Sequence, residues 1–187
     1  FSMSKLAGVD TYLGPEMKST GEVMGIDYEF RPAFAKALLA AGMTLPPEGT
    51  ILLSIADRDK SEAVQMIRDL AGANYTIYST GGTADLIEGL DLGVELHRVT
   101  RRLNAGHPNV VDIILDGTVD AVVNTVTGDR EVLQDGFHIR RAAVDTRIPC
   151  FTSLDTARAA VESMAGSGVE YNIKPMHEYL AGPPTTP

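Results

Sequence analysis

The sequence predicts an α/β domain with an open, doubly wound, parallel five-stranded sheet in a three-layer arrangement. Five short apolar runs alternate with segments that have apolar residues at helical spacing, which is typical of parallel strands joined by helical crossovers. The runs are apolar throughout, as expected for strands that helices cover on both faces. Five strands are too few to close a barrel of strand–helix units, so the sheet is predicted to be open.

The predicted elements follow one another from residue 50 onward. Asp57 and Asp59 follow the first apolar run and are predicted to cap the next helix. Strands are predicted at Ile51–Ala56, Tyr75–Thr80, Val94–Val99, Val119–Thr125 and Pro149–Thr152. Helices are predicted through Ala63–Leu70, around Leu86 and Ile87, and at Val110–Leu115, Phe137–Thr146 and Leu154–Met164. The polar segment Thr127–Asp135 is interpreted as a loop, and the tail after Leu180 as disordered.

A different composition occupies the first part of the chain. Residues 1–42 are rich in turn-forming residues and carry one short predicted helix, Pro32–Ala41, which Gly42 ends. Residues 45–49, Leu-Pro-Pro-Glu-Gly, are typical of a stiff polar linker. The chain is therefore predicted to divide into residues 1–45 and residues 46–187.

Composition excludes several classes of function. A net charge of -9 argues against a nucleic-acid or anionic-membrane surface, because such surfaces need clustered Lys and Arg. No apolar run approaches the roughly 18 residues of a membrane span. The single cysteine, Cys150, cannot form an internal disulfide, which fits a cytoplasmic protein. The four histidines follow no metal-ligand spacing, so no metal site is predicted.

Polar residues follow the predicted strands where a parallel sheet binds its ligands, beyond the carboxyl ends. The glycines of Ser79-Thr80-Gly81-Gly82-Thr83 let backbone N–H groups converge at a helix start, which is the chemistry of a phosphate site. A plain turn with Thr83 as a cap is the alternative. Lys60 and Arg102 follow other strands and are either solvated cations or ligands of a shared anion. Asn124 and Thr125 end a strand, either as caps or as contacts to a base or sugar.

Catalysis has less support than binding. No serine lies in a G-x-S-x-G nucleophile elbow, and no pair of carboxylates suggests general acid–base chemistry. Cys150 lies in an apolar strand and is expected to be buried and inert. Whether the chain is itself an enzyme is left uncertain, with a regulatory role preferred.

Several motifs resemble the carbamoyl-phosphate synthase large subunit. LGPEMKSTGEVMGID and AFAKALLAAG resemble the end of its second ATP-grasp half. The succession SIADRDK, STGGTA, GHPNVVDIILDG, VVNT and DGFHIRRAAVDTRIPCFTSL resembles its carboxy-terminal allosteric domain, which has the methylglyoxal-synthase-like, Rossmann-type fold. The resemblance covers Gly8 to about Met164, so the chain is expected to be a C-terminal fragment with a short ATP-grasp tail.

The resemblance implies regulation of a ligase that makes carbamoyl phosphate from glutamine, bicarbonate and ATP for arginine and pyrimidine biosynthesis. Nucleotide monophosphates of the UMP or IMP type would be the effectors. The fragment would need no cofactor, whereas the parent enzyme would use ATP with Mg or Mn. The expected partners are the rest of the large subunit and the glutaminase small subunit, and self-association is left open.

The resemblance also assigns the effector site residue by residue. Effector phosphate contacts fall on Lys60, Thr80, Gly81, Gly82, Thr83 and Arg102. Base or ribose contacts fall on Asn124, Thr125, Thr127 and Gly128, and Thr152 is a candidate second effector contact. Some members have Lys at the position of Arg102, and Val126 replaces a hydroxyl residue. Ornithine-activated members have Tyr where this chain has Cys150, so ornithine activation is not expected here.

Two other functions remain alternatives. Methylglyoxal synthase and IMP cyclohydrolase have the same fold, so a catalytic role is the first alternative. Residues 104–115 read NAGHPNVVDIIL in place of the cyclohydrolase segment, and the synthase's aspartate motif has no counterpart. A vestigial structural docking domain is the other.

Overall fold

The computed structural model describes residues 8–10, 23–100, 106–125, 130–165 and 173–182. Its strands form one sheet in which all four pairings are parallel, in the order β3-β2-β1-β4-β5. The strands are β1 (Thr50–Ser54), β2 (Thr76–Thr80), β3 (Leu96–Val99), β4 (Ala121–Asn124) and β5 (Cys150–Phe151). The predicted open five-stranded parallel sheet is therefore confirmed.

Helices connect the strands and precede them. They are α1 (Phe30–Ala41), α2 (Lys60–Gly72), α3 (Gly81–Gly89), α4 (Val110–Leu115), α5 (Arg130–Thr146), α6 (Leu154–Met164) and α7 (Met176–Leu180). A 3₁₀ turn, Asp57–Asp59, leads from β1 to α2. None of the helices in these described ranges has the length and apolar character needed to cross a bilayer.

Successive residues of the central strand β1 face opposite layers of helices, because side chains alternate along a strand. Ile51 and Leu53 belong to one core cluster, with Met66 and Ile67 of α2. Leu52 belongs to a second cluster, which also contains side chains of α4 and α5. All three β1 residues are fully buried. The alternation thus explains both the continuous apolar run and the three-layer architecture.

The helix before the sheet joins the first of these cores. α1 packs on α6, and Leu38 of α1 lies in the same cluster as Ile51. Gly42 ends α1 in a left-handed conformation with φ 71°, which glycine adopts without a steric cost, as the sequence predicted. The predicted division of the chain at residue 45 stays a prediction.

The C-terminal helix α7 lies on the segment that precedes α1. Lys36 donates hydrogen bonds to Asp27 at 2.7 Å and to the Tyr179 hydroxyl at 2.9 Å. Burial alone would lower the pKa of Lys36, but these hydrogen bonds raise it above its ordinary value. Tyr28 donates to the Glu178 carbonyl at 2.8 Å, so the N-terminal segment and α7 are joined by several polar contacts.

Three local features differ from the sequence-based expectations. α5 begins at Arg130 rather than Phe137, so residues 130–135 of the predicted polar loop are helical. Asp59 occupies the N-cap position of α2, but its side chain makes no capping hydrogen bond, and Asp57 lies in the preceding 3₁₀ turn and pairs with Lys60. The helix α7 was not predicted. The tail predicted to be disordered includes residues 183–187, which lie outside the described residues.

Candidate anion-binding site

The loop after β1 lies between the carboxyl ends of β2 and β4. The Ile55 amide donates to the hydroxyl of Thr83, in α3, at 3.1 Å. The next amide, that of Ala56, donates to the hydroxyl of Thr125, directly after β4, at 2.8 Å. Two neighbouring backbone N–H groups thus hold residues from two different strand ends at one edge of the sheet, as predicted for parallel strands.

The first turn of α3 presents backbone donors at this edge. The helix begins at Gly81, directly after β2, with Thr80 in an extended conformation before it. The side chain of Thr80, the N-cap residue, makes no capping hydrogen bond to this helix start. The first N–H groups of a helix have no intrahelical acceptor, and the helix dipole places positive charge there. The start of α3 is therefore suited to an anion.

Lys60 brings a cation to the same turn. A β-carbon added to Gly82 would lie 2.8 Å from Lys60 Nζ, whereas one added to Gly81 would meet no atom within 4 Å. Glycine at position 82 therefore permits the ammonium group to approach the backbone of α3 closely. Lys60 also pairs with the exposed Asp57 at 2.6 Å, and its hydrogen bond lowers the pKa of that carboxyl.

The hydroxyl of Thr83, in the first turn of α3, is held by the protein itself. Thr83 is buried, and its hydroxyl donates to the Ile55 carbonyl at 3.3 Å as well as accepting from the Ile55 amide. A phosphate contact at Thr83 would therefore use its backbone N–H rather than the hydroxyl. Thr80 is buried at the end of β2. The sequence alone could not show whether the hydroxyl or the backbone N–H of Thr83 is available to a ligand.

Asn124, at the end of β4, and Ser54, at the end of β1, form a polar pair, of which only Asn124 was predicted as a site residue. Asn124 is fully buried, and its Oδ1 accepts a hydrogen bond from Arg140 at 3.0 Å. Ser54 pairs with Asn124 in the sheet register and is also buried. Among the described residues, neither Ser54 Oγ nor Asn124 Nδ2 has a hydrogen-bond partner. Ser54 was missed, although a hydroxyl at the end of an apolar strand was a visible signal.

Thr152 lies across the edge from the glycine turn, after β5. It lines a 260 Å³ pocket together with Thr125, and its buried hydroxyl has no partner among the described residues. The other residues lining the pocket are Arg58, Asp59, Glu62, Ser153, Leu154 and Asp155. Carboxylates outnumber cations in this pocket, so an anion is better served at the start of α3.

Three predicted site residues lie outside the described residues: Arg102, Thr127 and Gly128. The structure brings Lys60, Thr80, Gly81, Gly82, Thr83, Asn124 and Thr125 to one edge of the sheet, with Thr152 in the adjoining pocket. Their roles as effector contacts stay predictions.

The chemistry of the remaining reactive groups does not suggest a nucleophile. Burial raises the pKa of the Cys150 thiol to about 12, so it is protonated at neutral pH. In the part of the chain that the structure describes, no group of three or more His, Cys, Asp or Glu side chains could hold a metal ion.

The parallel five-stranded sheet with helices on both faces defines an α/β domain, and residues 62–152 match the MGS-like domain family. The chain therefore contains an MGS-like domain. It is also 48% identical over 179 residues to the carbamoyl phosphate synthase large chain of Thermomicrobium roseum, which covers 96% of this chain. The resemblance to carbamoyl phosphate synthase large chains is thereby confirmed.

Two further relatives carry the same name. The carbamoyl phosphate synthase large chain, C-terminal section, of Methanopyrus kandleri is 46% identical over 164 residues, covering 88% of this chain and 30% of that protein. The large chain of Methanoregula boonei is 44% identical over 178 residues, covering 95% of this chain. This chain spans only 16% of the length of the Thermomicrobium and Methanoregula proteins.

Proposed function

We propose that this chain is the allosteric regulatory region of a carbamoyl phosphate synthase large chain and binds a nucleotide monophosphate of the UMP or IMP type. The convergence of Lys60 and Gly82 at the uncapped start of α3 carries the proposal. A phosphate there would accept backbone N–H bonds and pair with the ammonium group. The similarity to large chains from three organisms supports this assignment.

The second half of the edge would recognise the rest of the nucleotide. Asn124 Nδ2 and Ser54 Oγ are buried donors without a partner among the described residues, so a ligand acceptor near them would remove a desolvation cost. Thr125 is less available, because its hydroxyl already accepts from the Ala56 amide. A base carbonyl or ribose hydroxyl is the chemistry that fits these donors.

Regulation would follow from unequal affinity for two conformations of the synthase. An effector shifts such an equilibrium only by the difference in its binding free energy between the two states. The synthesis of carbamoyl phosphate, with its ATP and Mg or Mn, would belong to the remainder of the large subunit and to the glutaminase small subunit. Effector binding would change the contact between this domain and the rest of the large subunit.

Two adjacent glycine substitutions test the binding step. In Gly82→Ala the new methyl group would displace Lys60 Nζ, whereas Gly81→Ala would add a methyl group with no atom within 4 Å. We expect Gly82→Ala to weaken UMP or IMP binding about fivefold and Gly81→Ala to leave it unchanged.

Isothermal titration calorimetry measures both variants, with uridine as the ligand that lacks a phosphate. The proposal predicts heat with at least one nucleotide and little with uridine. Absence of binding by the unmodified chain at millimolar UMP and IMP would remove the effector role. Equal loss of nucleotide affinity in both glycine variants would show that Lys60 does not contact the ligand.

A further inference from the structure

A fully buried guanidinium joins the end of β4 to the N-terminal part of the chain. Arg140, on α5, has no exposed surface. Its Nε and Nη2 donate to the two carboxylate oxygens of Asp10 at 2.7 and 2.5 Å, and its Nη1 donates to Asn124 Oδ1 at 3.0 Å. A buried cation needs a counter-charge, and Asp10 provides one in the forked geometry that suits arginine.

The backbone of α5 leaves room for this arrangement. Gly136 lies one helical turn before Arg140, and a β-carbon there would lie 2.7 Å from Arg140 Nη1 and 3.4 Å from Asn124 Oδ1. The guanidinium is buried and donates hydrogen bonds to both Asp10 and Asn124, so it could not move aside freely. Glycine at position 136 thus permits the contact between Arg140 and Asn124.

Arg140 determines the orientation of the Asn124 amide. A guanidinium only donates hydrogen bonds, so the amide oxygen faces it and the amide nitrogen faces away. That nitrogen is buried and has no partner among the described residues. It therefore remains a fixed donor at the carboxyl end of β4, next to Thr125.

We propose that Arg140 is a positioning residue for the effector site and that Asp10 holds it in place, so that ligand binding and the docking of residues 8–10 are coupled. The ligand group concerned is an acceptor, a carbonyl or phosphate oxygen, facing Asn124 Nδ2. The nature of the ligand rests on the proposed function, whereas the ionic link, the ion pair between Arg140 and Asp10, does not. Because coupling is reciprocal, docking of residues 8–10 strengthens ligand binding by the factor by which the ligand strengthens docking, so loss of the Asp10 charge weakens ligand binding.

The variant Asp10→Asn tests the coupling, and Asp27→Asn is its matched control. Both remove the charge of an aspartate paired with a cation, but Asp27 pairs with Lys36, which contacts α7 rather than the ligand edge. For Asp10→Asn we expect UMP or IMP to bind at least about fivefold more weakly, with Asp27→Asn within about twofold of the unmodified chain. Titration calorimetry provides the affinities, and circular dichroism checks folding.

Two further measurements read the link without any nucleotide. Hydrogen exchange at residues 121–124 should be faster in Asp10→Asn than in Asp27→Asn. Cys150, the single cysteine of the chain, packs in the same cluster as Ile139 and Ala143 of α5. Cys150 is partly buried, so its reaction rate with a disulfide reagent should rise in Asp10→Asn and not in the control.

The variant Arg140→Lys keeps the charge but loses the forked geometry, and it replaces Asp10→Asn in all three measurements if that variant does not fold. Binding within twofold of the unmodified chain would overturn the proposal. If the unmodified chain binds no monophosphate, the proposed function fails while the link is still judged by exchange. Unchanged exchange at residues 121–124 would then overturn the link, and faster exchange would support it.

Discussion

The helices α3 and α4 both begin near the carboxyl edge of the sheet, but their first turns differ. At α4 the Asn109 side chain accepts hydrogen bonds from the amides of Val111 and Asp112, and the Asp112 carboxylate accepts from the Asn109 amide. At α3 the side chain of the N-cap residue, Thr80, makes no capping hydrogen bond. The donors of α4 are thus satisfied within the protein, whereas those of α3 remain available to a ligand.

The two helix starts therefore have different roles. A capping box stabilises a helix and closes its end to anions, so Asn109 and Asp112 are structural. The start of α3 lacks that stabilisation. Lys60 Nζ lies beside Gly82, where it could pair with an anion bound at this helix start. An uncapped helix start beside a cation is the arrangement on which the proposed function depends.

The largest effect is expected from Lys60→Gln, compared with Arg58→Gln. Removing the ammonium group should weaken UMP or IMP binding by about tenfold or more, because a charge-assisted bond to phosphate is lost. Arg58 exposes 67% of its side chain, pairs with Asp59, and lines the pocket beside Thr152 instead. Its variant should bind within about twofold of the unmodified chain. Comparable losses of affinity in both variants would show that Lys60 at the start of α3 is not the specific cation of the site.

Asn109→Ala is expected to affect stability rather than binding. It removes two hydrogen bonds to the first turn of α4, which should lower the free energy of unfolding by about 1 kcal/mol. Urea denaturation measures the loss, and calorimetry with UMP or IMP should show an affinity close to that of the unmodified chain. A large loss of affinity would show that the two helix starts are not independent.

A smaller change of opposite sign is expected from Asp57→Asn. The Asp57 carboxylate pairs with Lys60 at 2.6 Å and competes with any bound anion for the ammonium group. Removing the negative charge should tighten UMP or IMP binding about two- to threefold. Titration at two salt concentrations checks this prediction, because the gain should shrink as salt screens the pair. Weaker binding would mean that Asp57 orients Lys60 for the ligand.

The smallest effect concerns the acid stability of the capped helix. Hydrogen bonds from the Asn109 amide and then from His107 lower the pKa of Asp112 below its ordinary value of 3.8. A carboxyl with a lowered folded-state pKa stabilises the fold above its unfolded pKa, and this contribution is lost as the pH falls through the folded value. Unfolding followed from pH 6 to the acid limit of folding should therefore show a steeper loss below about pH 4 than in Asp112→Asn. Parallel curves would contradict this role.

Much of the fold followed from local patterns. Apolar runs and helical spacing predicted every strand within a few residues, and both Val110–Leu115 and Leu154–Met164 have the predicted bounds. The start of α5 was predicted too late, because residues 130–135 are mostly polar and resemble a loop. The helix α7 is short and depends on contacts with the distant Tyr28 and Lys36, which no local pattern reveals.

The candidate site was predictable in place but not in detail. The rule that ligands bind beyond parallel strand ends located Lys60, Gly82 and Asn124 together. The rule does not indicate which hydroxyls the protein uses itself, so the engaged side chain of Thr83 was not foreseen. Arg140 lies 130 residues from Asp10, and an arginine on an amphipathic helix gives no sign that it is buried.

The most direct test of the central claim is a crystal structure of the chain with UMP or IMP bound. We expect the phosphate at the first turn of α3, accepting hydrogen bonds from backbone N–H groups of residues 81–83 and from Lys60 Nζ. A phosphate bound elsewhere, with this turn unoccupied at saturating ligand, would contradict it.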